Sequence, residues 1–80
     1  MEQLTMETSR EQHLQWAKQR ALQVLEYYGS PSQALISLSN DLMKHSELRT
    51  HAAIELGTQL FIVGKLGTVA AMRKFIEDCS

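Results

Sequence analysis

The stretch Tyr27-Tyr28-Gly29-Ser30-Pro31-Ser32-Gln33 (residues 27–33) decides the fold. Gly29 follows a helically periodic segment and is suited to the left-handed conformation that closes a helix. Ser30 before Pro31 is a start signal: the hydroxyl caps, and proline at the first helical position loses no hydrogen bond, because that N–H has no intrahelical partner. Gln33 completes the capping box. One helix therefore ends and another begins within a few residues, and so short a connection leaves only antiparallel or steeply crossed neighbours.

Working backward, Thr8 and Ser9 offer N-cap hydroxyls, with Glu11 and Gln12 three residues on. The first helix is expected from there to Tyr28, with Leu14, Ala17, Ala21, Val24, Leu25 and Tyr28 as its buried stripe. Residues 1–7 read as a flexible N-terminal tail, and 8–80 as a single helical domain.

Working forward, the second helix reaches Lys44 or His45. Ala34, Leu35, Leu38 and Leu42 face inward, and Ile36 and Met43 project from the other side. Ser46 and Glu47 predict the start of a third helix that ends before Gly64. Its apolar residues, among them Leu48, Ala53, Ile54, Leu56, Leu60, Phe61 and Val63, occur on most sides, the pattern of a central helix. Gly57 inside it costs ~1 kcal/mol against alanine, which implies close approach of another helix. Gly64-Lys65-Leu66-Gly67 reads as a turn, and Thr68 caps a last helix carrying Val69, Met72, Phe75 and Ile76 and reaching Asp78. No strand alternation, low-complexity tract or internal repeat appears. The expected architecture is all-α, a compact bundle of four short helices.

Composition bounds function. The chain has 80 residues, 44% of them hydrophobic, one proline and a net charge of −1. That hydrophobic fraction argues against disorder, and the balanced charge against a general nucleic-acid binder, which needs a basic stripe. A domain this small buries only about 60% of the surface its unfolded chain exposes, so association with a partner would add stability. Cys79 is the only cysteine, which excludes an internal disulfide and suits a reducing, cytoplasmic setting. No apolar run approaches membrane-spanning length.

Three groups of residues merit functional reading. Trp16, Arg20, Gln23 and Tyr27 fall in one row of the first helix, nearly opposite its buried stripe, and these are residue types enriched where proteins bind one another. The row is read as partner-binding; covering by the tail or the last helix of the same chain is the other possibility. Asp41 and His45, four apart, and His51 and Glu55, four apart, form two helix-face pairs that a turn could bring together. Two imidazoles and two carboxylates would suit a divalent transition metal. They would equally tie two helices together, and the absence of paired CxxC or HExxH spacing favours that plainer role. No cofactor is implied. Lys44, Arg49, Lys65, Arg73 and Lys74 could gather near helix ends as a small nucleic-acid-binding surface, but the third helix is too apolar to read a groove. Catalysis finds no support: Cys79 lacks an activating histidine nearby in sequence, the serines are accounted for as caps, and Gly64 and Gly67 lack a P-loop ending.

The strings His13-Leu14-x-Trp16-Ala17-Lys18-x-Arg20-Ala21-Leu22, Asp41-Leu42-x-Lys44-His45, Ala53-Ile54-Glu55-Leu56-Gly57 and Met72-Arg73-Lys74-Phe75-Ile76-Glu77 resemble a group of small uncharacterised helical proteins encoded by tailed bacteriophages. The resemblance spans residues 13–77. The chain departs from it at Ser46 and Val69, where the group has prolines. None of the four strings is a catalytic motif. The resemblance implies a non-enzymatic accessory protein of the bacterial host cytoplasm that binds and modulates a host or phage protein, or associates with itself.

Overall fold

A computed structural model describes residues 9–80. The tail expected over residues 1–7 and the candidate cap Thr8 lie outside them. Four α-helices follow in order: α1 (Arg10–Tyr28), α2 (Pro31–Leu42), α3 (Ala52–Ile62) and α4 (Val69–Asp78), with no strand among the described residues. The fold is an all-α bundle.

The capping chemistry read from sequence is present at both ends of α1. The Ser9 hydroxyl accepts from the Gln12 N–H, and the Ser9 N–H donates back to the Gln12 side chain, a reciprocal capping box. Gly29 closes the helix at φ 62°, with its N–H on the Leu25 carbonyl. Ser30 and Pro31 then open α2, and Thr68 opens α4 by accepting from the Ala71 N–H. The C-terminal end of α4 has a cap from a distant residue. Lys18 of α1 donates to the carbonyls of Glu77 and Cys79, at 3.0 and 2.7 Å, neutralising orphan acceptors at the negative end of the helix.

α1 and α2 make the largest contact in the molecule; α4 lies against both, and α3 rests mainly on α2. The core holds Leu14, Ala17, Ala21 and Leu25 of α1, the four inward residues expected of α2, and Met72 and Ile76 of α4. Two members of the expected α1 stripe are displaced: Val24 is only partly buried and Tyr28 is exposed.

The third helix differs from expectation in start and in position. Residues 46–50 form successive turns, not helix: the Leu48 N–H bonds the His45 carbonyl and the His51 N–H bonds the Leu48 carbonyl. This tight path leaves Leu48 fully buried, and α3 begins only after His51, whose Nδ1 accepts the Ala53 N–H as the N-cap. Nor is α3 central. Of its own residues only Ala53 and Gly57 are buried, and Leu56, Ile62 and the capping Val63 are 47%, 75% and 64% exposed.

Gly57 does mark a close approach. A Cβ there would fall 2.7 Å from Leu35 Cδ1 of α2 and 3.2 Å from the Phe75 ring of α4. Adding a methyl group gains about 1 kcal/mol of helix propensity but must displace both side chains, and overpacking of this kind costs about 1–3 kcal/mol. Gly57→Ala should therefore lower the thermal midpoint despite its better propensity, and Gly57→Leu should lower it much further. A rise in midpoint for Gly57→Ala would show that the approach is looser than described.

Candidate functional site

The polar centre of the molecule is Asp41, in the last turn of α2 and 2% exposed. A carboxylate so withdrawn from water needs partners on its oxygens. Oδ2 accepts from Arg20 Nε of α1 at 2.6 Å, and Oδ1 faces Lys44 Nζ at 3.2 Å. The backbone carbonyl of Asp41 is also engaged, by His13 Nε2 at 2.6 Å. A carbonyl can only accept, so His13 Nε2 carries the proton.

Aromatic rings close around this pair. The His13 ring lies 4.9 Å from that of Trp16 and 5.1 Å from that of His45. The Arg20 guanidinium sits 5.0 Å from the Trp16 ring centroid, and the Lys44 ammonium 5.8 Å from it. Trp16 precedes Arg20 by four residues, so a straight α1 stacks them on one face and both reach the end of α2. His45 Nδ1 accepts the Glu47 N–H at 3.0 Å, which joins the first turn after α2 to the same cluster.

Beside the cluster runs an open groove of about 500 Å³ between the outer faces of α1 and α2. Arg20, Val24 and Tyr28 form one wall at intervals of four residues; Gln33, Ile36, Ser37, Asn40 and Lys44 form the other. A neighbouring hollow is lined by Gln23, Tyr27 and Tyr28, the two tyrosine rings meeting edge-on at 4.8 Å. Tyr27 is 81% exposed.

The predicted row on α1 is thus divided. Trp16 and Arg20 are held inside the chain's own Asp41 cluster, whereas Gln23 and Tyr27 face outward. The groove wall follows the spacing of four through Val24 and Tyr28, because α2 docks on that side of α1. His13, buried and bonded to Asp41, was not singled out from sequence. A histidine among apolar neighbours gives no signal until its partner across 28 residues is known.

The proposed four-residue metal set is not assembled. Asp41 is committed to two cations, His45 turns its Nδ1 to a backbone N–H, and His51 caps α3 with Nδ1 while its Nε2 meets the Ser80 carbonyl at 2.7 Å. Glu55 is exposed. Among the described residues, no group of three or more His, Cys, Asp or Glu side chains is arranged to hold a metal ion. The plainer role, in which these four residues join the second and third helices, is not the one Asp41 takes: it ties α2 to α1 instead, through Arg20 and, at its backbone carbonyl, His13. The basic residues are likewise divided: Lys44 pairs with Asp41 and Lys74 with Asp78, while Arg49, Lys65 and Arg73 are exposed. Cys79 is buried, and burial pushes its thiol pKa up against the opposing pull of Lys18 and Arg10. Such a thiol is a poor nucleophile at neutral pH.

Comparison with protein-family models, with curated proteins and with solved structures gives no match. No described helix is long and apolar enough to cross a membrane.

The cluster should behave as one unit. Arg20→Ala leaves a buried carboxylate with a single, more exposed partner, so a loss of about 2 kcal/mol is expected from the charged hydrogen bond alone. Asp41→Ala removes the carboxylate and leaves cations that water can reach, so it should cost less. The double variant should fall short of the sum of the two losses. Chemical denaturation followed by the fluorescence of Trp16, the only tryptophan, measures all three; strict additivity would mean the pair is not coupled.

Proposed function

We propose that this chain is a non-enzymatic interaction module that takes a protein partner on the outer face of α1 and α2. The observation that carries this reading is the coincidence of an open groove with exposed large side chains. Tyr27, Tyr28 and Ile36 stand at its edge or in its walls, all more than half exposed. Tyrosine beside arginine is the composition of binding hot spots, and a wall held in place by the Arg20–Asp41 ion pair lowers the ordering cost that association must meet.

The resemblance to small bacteriophage proteins extends the proposal: the partner is a host or phage protein in the bacterial cytoplasm, and binding modulates its activity. The exposed rings and Ile36 bear on that partner, while Trp16 serves to hold the surface in shape. Gln23 lies on the same face.

The test separates binding from folding. Tyr27, Tyr28 and Ile36 are each more than half exposed and stand outside the core, so the helical circular dichroism should be retained when all three are replaced by alanine. Surface changes of this kind usually cost within about 0.5 kcal/mol each. Affinity capture from bacterial lysate should retain a protein on the natural chain that the triple variant fails to hold. Equal capture by both, or no specific capture by either, would reject this face as the binding surface.

A further inference from the structure

We propose that the α1–α2 groove takes an acidic segment of its protein partner. An aspartate or glutamate of that segment binds at Arg20 and Lys44, and an apolar side chain next to it fills the space between Val24 and Ile36. The inference rests on the reading of this groove as a protein-binding surface and names the chemistry of what it takes.

Two cations share one carboxylate at the end of the groove where α1 meets the last turn of α2. The side chains of Arg20 and Lys44 are 43% and 60% exposed, whereas that of Asp41, which both contact, is 3% exposed. A segment entering the groove therefore meets the positive groups and not the negative one. Asp41 offsets one unit of charge and leaves one over. No other residue lining the groove or the hollow beside it is charged. Arg20 meets Asp41 through Nε, and its terminal nitrogens carry further N–H donors in the planar fork that suits a second carboxylate. Asn40, exposed on the α2 wall, adds an amide donor four residues before Lys44.

The apolar part of the groove sets the spacing. Val24 lies one helical turn along α1 from Arg20, ~6 Å away, and Ile36 stands exposed in the opposite wall. An acidic and an apolar residue span that distance three or four positions apart in a helix, or two apart in an extended segment. A run of phosphates fits less well. Nucleic-acid binding draws on many cations, whereas the groove has one charge to spare and the whole chain carries a net charge of −1.

The probe is a displayed library of random short peptides, selected on the immobilised full chain. Enriched peptides should pair Asp or Glu with an apolar residue two to four positions away, and added salt should weaken them. Lys44→Gln should weaken a selected peptide about tenfold or more, the effect of losing one charged hydrogen bond, while Lys44→Arg should retain it. Asn40→Lys adds a cation to the same wall at an exposed position and should tighten binding, a gain that loss of fold could not produce. Neutral or basic peptides that are lost in the Tyr27, Tyr28 and Ile36 variant would overturn the acidic inference and leave the groove as a binding surface. If no selected peptide depends on those three residues, both readings fall. Single-stranded DNA held by the chain and released by Lys44→Gln, with no acidic peptide enriched, would assign the spare charge to phosphate and overturn the proposal.

Discussion

The Asp41 carboxylate constrains how α1 can sit against α2. It lies where water scarcely reaches, so every acceptable packing of the two helices must bring a cation to it. An ion pair of this sort adds little net stability over apolar side chains of the same shape. What it adds is a penalty on other rotations of α1, each of which would leave Asp41 buried alone. With Arg20 fixed against Asp41, the rest of that face follows from helical geometry. Trp16, one turn back, comes under the two cations, and Val24 and Tyr28, one and two turns on, become a groove wall. His13 adds a second tie by satisfying the Asp41 carbonyl. No buried side-chain nitrogen or oxygen among the described residues lacks a partner.

Much of the fold was legible because its signals are local. Ser9 with Gln12, Gly29, Ser30 with Pro31, and Thr68 each act on backbone groups within four residues, so reading the sequence reads the interaction. The inward residues of α2 were legible for a related reason, since a strong periodic stripe admits one buried face. The start of α3 was not. Ser46 is a good cap in isolation, but burying Leu48 through a run of turns governs residues 46–50, and burial is a property of the whole fold. His51 as an N-cap is a less common choice that residue preference alone does not favour.

The functional residues divide along the same line. The aromatic character of the α1 surface was legible from composition and spacing. The division of that row between an internal cluster and an outward face was not, because it depends on which side of α1 receives α2. The Asp41 partnership shows the limit clearly. Spacing of four suggested His45 as its companion, and Lys44 at spacing three is indeed one of its cations, yet the shorter ion pair comes from Arg20, 21 residues away. Position on one helix narrows the neighbours a side chain can have; it does not rank them against residues brought in by another helix.

The position of α3 follows from the thickness of the molecule. The described bundle measures 36 × 25 × 16 Å along its principal axes, a depth that holds two layers of helices and not three. No helix in so thin a body is enclosed on every side, whatever its sequence. α4 meets that condition by keeping Arg73, Lys74, Glu77 and Asp78 on its open face. α3 does not: beside the buried Ala53 and Gly57 it shows Leu56, Ile62 and the capping Val63, which the other described helices leave uncovered. The rule that a helix apolar all round lies at the centre of its protein assumes a body thick enough to have a centre. In a chain of 80 residues the same pattern sets a helix on the outside with one face buried and one face showing.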